Sequence, residues 1–350
     1  MEKFSVYADK TTGISPFQPI QLTPTIPTYI FHALIIPIKI VTFIPVLLVT
    51  PLFNLASGSA KIIIDVILAY FFNISDTELV IDGVRKSDFE ETAKRAPGAN
   101  EVILTNATGP LDWFVWKMIS KNPNSVKVGI ATSGGIIMIN SWYKWCEWCF
   151  SGSLFVPESC KHNVIHVTDI DASSSDIDGV SDLKKYLGDD GTLFLVAEGT
   201  ISNGKGILAY PMGFDVIAFA KMVRSADYAL RILSTRVSPP GITETIVRTN
   251  RWWWLFLNFG SLGMNMKYRL KLSETTDVQT QMLTDTLLRE RLANNGRFKL
   301  LGRNMDVNMK REYIKAVEEN VAQKKSNGKS VPRAKANGNA KAKTTSKKRV

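Results

Sequence analysis

The chain has 350 residues, 45% hydrophobic and 10% aromatic, which is ample for a large core and excludes wholesale disorder. Its three cysteines, Cys146, Cys149 and Cys160, exclude a disulfide scaffold and point to a reducing compartment. The net charge of +11 is local: residues 323–350 hold ten Lys/Arg and no Asp/Glu, leaving +1 for the preceding 322 residues and excluding a basic nucleic-acid-binding body.

Residues 1–28 are polar and spaced by Pro16, Pro19, Pro24 and Pro27, which reads as an extended leader rather than a secretory signal. Residues 29–53 follow with a single charge, Lys39, over a stretch that as a helix would span roughly 37 Å. Pro37, Pro45 and Pro51 argue against a straight helix there. After a break near Gly58, the run 62–72 is apolar except for Asp65. A mid-bilayer charge costs about 2.5–3.5 kcal/mol, so the pair 29–72 is expected to be a kinked hairpin embedded in one leaflet. The competing reading is a pair of buried core helices.

From 73 to 308 strand-length apolar runs alternate with helical patches. Strands are expected at 78–83, 101–106, 126–131, 153–158, 163–170, 192–199 and 228–237, and helices at 111–120, 180–187, 212–223 and 278–296. This alternation predicts an α/β domain with a largely parallel central sheet flanked by helices. A polar helix is expected up to about residue 323 and a disordered basic tail over 324–350, ending in Lys347-Lys348-Arg349-Val350, a dilysine-type retrieval pattern. The eight tryptophans fall in three clusters. Trp113 and Trp116 read as core, whereas Trp252–Trp254, beside Arg248 and Arg251, read as membrane-interface anchors.

Two loops carry candidate chemistry. Asn106-Ala-Thr-Gly-Pro-Leu-Asp112 leaves a strand and opens a helix, the position where open α/β sheets place ligands. Residues 196–208, VAEGTISNGKGIL, combine Glu198 with glycines that let backbone amides approach an anion and with the cation Lys205. A nucleotide-binding P-loop is excluded, because Gly206 stands where Ser or Thr must hold magnesium. A zinc site from the cysteines and His162 is set aside, since Cys160 and His162 are too close in sequence.

The two loops, with Gly152-Ser-Leu-Phe155-Val-Pro157 between them, resemble in order and spacing the blocks of the lysophospholipid (glycerolipid) acyltransferase superfamily. MEKF at the start, TGISPF at 12–17 and GRFKLLGRNMDVNMKREYI at 296–314 are similar to its fungal lysophosphatidic acid branch of endoplasmic reticulum and lipid droplets. The resemblance implies a glycerolipid acyltransferase-like domain that moves an acyl chain, oleoyl first, from acyl-CoA to lysophosphatidic acid on the cytosolic face of a membrane or droplet. Acyl-CoA is then a co-substrate, with no bound cofactor, metal or nucleic acid. The catalytic candidates are Asp112 and Glu198; the substrate contacts are Asn106, Thr108, Gly199, Thr200, Asn203, Gly204 and Lys205. The family's His position is Ala107, which cannot move a proton. Asp112 acting as base, His162 or His166 reaching in, or a lipid binder without catalysis are the three ways to accommodate it.

Overall fold

The computed structural model describes residues 2–20, 26–53, 57–160, 163–167, 177–239, 244–260, 266–273 and 284–329. Short apolar runs become strands buried on both faces, as parallel strands covered by helices must be. The strands are β1 (Ile74–Ile81), β2 (Glu101–Thr105), β3 (Val126–Thr132), β4 (Gly135–Ile139), β5 (Val164–Ile165), β6 (Thr192–Val196), β7 (Gly206–Ile207), β8 (Ala229–Ser238), β9 (Met266–Leu272) and β10 (Lys299–Leu300). Eight form one sheet in the order β1-β9-β8-β2-β6-β3-β4-β5, and β7 pairs with β10. The centre, β8-β2-β6-β3, is parallel throughout. β4, β5 and β9 add antiparallel pairings, so the sheet is mixed with a parallel middle.

The helices are α1 (Ile26–Phe53), α2 (Ser57–Phe72), α3 (Phe89–Arg95), α4 (Asp112–Ile119), α5 (Trp142–Phe150), α6 (Ile177–Leu187), α7 (Val216–Ser225), α8 (Arg251–Gly260), α9 (Asp285–Gly296) and α10 (Val307–Lys329). Alternation along the strands divides the core in two. Ile103, Val128 and Phe194 face α2, α4, α5 and α8 through Phe72, Trp116, Trp145 and Trp254. Leu104, Leu193 and Leu195 face α6, α7 and α9 through Leu183, Phe219 and Leu292. Residues 1–313 make one compact unit and 314–350 a second, so α10 belongs to both.

Several expectations need correction. Residues 153–158 form a loop, not a strand, because Gly152 and Ser153 turn the chain at φ +79° and +59°. Only Val164–Ile165 of the run 163–170 pairs, with 168–170 outside the described residues. β4 and β9 were missing from the expected strands, although β9 alternates buried and exposed residues with period two. α7 begins at Val216 because the Asp215 carboxylate caps it, accepting from Ile217 N at 2.8 Å and Ala218 N at 3.0 Å. Residues 278–283 of the last predicted helix of the domain, and the tail from 330 on, lie outside the described residues.

α1 continues through Pro37, Pro45 and Pro51 as one element. It exposes Ile30, Phe31, Leu34, Ile38 and Val41, and α2 exposes Ile62 and Val66. Lys39, the one charge in the first apolar run, is buried and donates to the Phe71 carbonyl at 3.1 Å, at the carboxyl end of α2, where the helix dipole favours a cation. Among the described residues no helix is long and apolar enough to cross a membrane. Of the third tryptophan cluster, Trp252 is 71% and Trp253 49% exposed, whereas Trp254 is buried.

The amino-terminal segment is not extended. The Asp9 carboxylate accepts from Thr12 N at 3.0 Å and Thr12 Oγ1 at 2.7 Å, closing a turn. The same carboxylate takes the Gly302 amide at 3.3 Å. Phe4 and Tyr7 meet the Tyr313 ring edge-on, and Phe17 is wholly buried beside it. A Phe17→Ala substitution is expected to destabilise the fold by about 3–5 kcal/mol. Denaturant unfolding in detergent followed by tryptophan fluorescence would read this; a cost under 1 kcal/mol would mean the segment is not part of the core.

Candidate active site

Parallel pairing sets the geometry. Thr105 stands opposite Val196, so β2 and β6 end side by side and their loops leave from one edge of the sheet. The Ala197 amide donates to the Thr105 carbonyl at 3.1 Å and extends the pairing into the second loop. The Asn106 side chain joins the first loop to β8, donating to the Thr235 carbonyl and accepting from its amide, both at 2.8 Å. Asn106 is therefore spent on the sheet.

Asp112, the first residue of α4, is fully buried. Its carboxylate accepts from the Thr108 amide, from Thr108 Oγ1 at 2.6 Å and from the Gly109 amide at 3.0 Å. Burial raises its pKa to about 6, against the lowering effect of those donors and of the Tyr268 hydroxyl. This carboxylate braces its own loop. Ala107 is buried and belongs to the same core as Leu111 and Trp113. Trp142 of α5 holds the same loop from outside, its indole donating to the Pro110 carbonyl at 3.3 Å.

Glu198 is also fully buried, but its oxygens differ. Oε1 accepts from the Leu208 amide at 2.9 Å, while Oε2 has no hydrogen-bond partner among the described residues. Burial lifts its pKa to about 7, with Arg289 and Lys310 acting in the opposite direction. Gly199 adopts φ +64°, and a Cβ there would lie 2.5 Å from the Ala131 carbonyl and from Pro211. Thr200 donates to the Ser153 carbonyl at 3.3 Å, joining the second and third sequence blocks.

Two clefts open along this edge. One, of about 290 Å³, is lined by Thr108, Gly204, Lys205, Arg236 and Arg297 together with Asn203. It unites the two predicted loops and adds two arginines that neither loop contains. The other, of about 200 Å³, brings Gly199 to Ser153, Leu154 and Val156. The Asn203 amide group is engaged within the protein: it donates to the Ser15 and Gln18 carbonyls at 2.8 and 3.2 Å, fastening the amino-terminal segment over the loop. His166 is exposed at the sheet margin, its Nδ1 3.2 Å from the Gly134 carbonyl, and β5 lies four strand spacings from β2, roughly 19 Å. It does not reach Asp112, and His162 lies outside the described residues.

Raising the Asp112 pKa from 3.8 to about 6 means that the folded chain holds a proton the unfolded chain releases. Stability from this group is complete below pH 3.8 and is lost as pH rises through about 6, on the order of 3 kcal/mol. Asp112→Asn removes that dependence, so the stability difference between variant and wild type is expected to move in favour of asparagine between pH 4 and 7. Urea unfolding at both pH values measures it, and parallel curves for the two proteins would contradict a buried, proton-binding Asp112.

No protein-family profile matches the chain, and no solved structure matches it. It is 24% identical over 330 residues, 90% of its own length and 96% of the relative's, to lysophosphatidic acid:oleoyl-CoA acyltransferase 1 of Saccharomyces cerevisiae. This match, over nearly the whole chain, supports the resemblance to the lysophospholipid acyltransferase superfamily carried by the three sequence blocks.

Proposed function

We propose that the chain is an acyl-CoA-dependent acyltransferase that places a fatty acyl group, oleoyl first, on the free hydroxyl of lysophosphatidic acid. The observation that carries this reading is the cleft shared by the loop of Asp112 and the loop of Glu198, rimmed by Lys205, Arg236 and Arg297. Three cations around one small opening outweigh its single carboxylate, Glu244, and suit a phosphate, with arginine adding paired donors to the point charge of lysine. The name of the Saccharomyces cerevisiae relative supports the acyl donor and the acceptor.

In this reaction the acceptor oxygen attacks the thioester carbonyl, the carbon–sulfur bond breaks, and the hydroxyl proton ends on the coenzyme A sulfur. Asp112 fixes the first loop, and Glu198 is the carboxylate with proton capacity left, through Oε2. A thioester is already activated, so orientation and electrostatic stabilisation contribute much of the rate without a histidine. Membrane or lipid-droplet attachment, at the endoplasmic reticulum and on its cytosolic face, is part of the proposal. It is supported by the exposed apolar residues of α1 and α2 and by the exposed indoles of Trp252 and Trp253, the second of which stacks on Phe256.

One observation favours a second reading, a lipid binder of the same fold: Ala107 is buried and the Asp112 oxygens are all engaged. Membranes from expressing cells incubated with labelled oleoyl-CoA and lysophosphatidic acid separate the two. Wild type is expected to form phosphatidic acid, Glu198→Gln to lose about 10²-fold or more, and Arg236→Ala with Arg297→Ala to raise the KM for lysophosphatidic acid. No incorporation above empty membranes, with lysophosphatidic acid still bound, selects the binder. For attachment, Trp252→Ala with Trp253→Ala is expected to reduce flotation with liposomes, and undiminished flotation would remove the anchor role.

A further inference from the structure

We infer that Lys310 is the positioning residue of the Glu198–Thr200 loop: α10 delivers its ammonium into the core, where it holds Thr200 and Ile201. The inference rests on the acyltransferase reading for its effect on activity, but the contact itself does not. Lys310 has no exposed surface, an unusual state for a lysine, since desolvating an ammonium costs several kcal/mol unless other groups compensate. Here Nζ donates to Thr200 Oγ1 at 2.9 Å and to the Ile201 carbonyl at 2.7 Å. An ammonium has three protons to give, and Glu198 Oε2 lacks a hydrogen-bond partner among the described residues.

The electrostatics agree with the geometry. Burial pulls the Lys310 pKa down to about 7, and the neighbouring Glu198 and Cys149 pull it back up. Arg289 holds the far end of the same loop, with Nε on the Leu208 carbonyl at 3.1 Å and a terminal nitrogen on the Leu301 carbonyl at 2.8 Å. The loop is thus gripped at both ends by buried cations from α9 and α10. Of these two, only Lys310 touches the Glu-Gly-Thr block. The amino-terminal segment closes over the same residues through Asn203, and its aromatic rings pack on Tyr313, in the same helix as Lys310. A shift of Lys310 would move Thr200, with the Ser153 carbonyl bound to it, and the path to Lys205 at the cleft.

The test uses the full chain in detergent or membranes, with Lys310→Met and Thr200→Val as independent variants. Lys310→Met keeps the length and removes the charge and donors; Thr200→Val keeps the shape and removes the acceptor. In both, hydrogen exchange of peptides covering 198–208 is expected to rise about tenfold, while peptides of β2 and β8 stay as in wild type. The KM for lysophosphatidic acid is expected to rise about tenfold with the KM for oleoyl-CoA unchanged, a split that loss of folded protein alone would not produce. Unchanged exchange over 198–208 in the variants overturns the inference, and so does a uniform rise across the sheet. If Lys310→Met does not fold, Thr200→Val decides by the same criterion. Absence of acyl transfer in wild type, with exchange still dependent on Lys310, removes the acyltransferase reading and leaves the positioning role standing.

Discussion

The pairing of Thr105 with Val196 is the constraint on which the site depends. Because β2 and β6 run the same way, both strands end on one side of the sheet, and the two polar loops begin a single strand spacing apart. An antiparallel arrangement of the same two segments would send the loops to opposite edges. The neighbours reinforce the choice: β8 and β3 flank the pair in parallel and supply the walls of the two clefts. This is the general logic of ligand sites in open α/β sheets, applied here to two loops of unequal character.

The inequality lies in how the two carboxylates are held. Asp112 is enclosed by donors from its own loop, so its charge is used to shape backbone. Glu198 has one backbone donor and a distant field from Arg289 and Lys310. Both are fully buried, and burial pushes both toward the neutral acid. A carboxylate with a spare oxygen and a pKa near neutrality is the more versatile of the two, whatever the acceptor. The cations that moderate it come from α9 and α10, far along the chain from the loop they steady.

Much of this was legible in the sequence. The central strands and α4 follow from short apolar runs and from the polar loops that interrupt them, and residues of the three acyltransferase-like blocks line the two clefts. β4 and β9 were missed because one is a brief apolar run behind two glycines and the other a charged, alternating edge-type segment. Pro16 and Pro19 suggest an extended leader, yet Asp9 and Phe17 fold it onto Gly302 and Tyr313, 293 positions on in the first case. Nothing local distinguishes Lys310 from the other lysines and arginines of its helix. Its burial is a property of the three-dimensional contact with Thr200, as is the gathering of Arg236 and Arg297 beside Lys205.

The state of the thiols has a practical consequence. Cys146, Cys149 and Cys160 are all buried, and burial raises the pKa of each, to about 12 for Cys146. A thiolate is the reactive species, so none of the three competes for a maleimide at neutral pH. Single cysteines installed at outward-facing positions such as Tyr143 or Met212 could therefore carry spectroscopic labels in the otherwise unaltered chain. Distances between such labels would then track α5 against the segment that leads into α7.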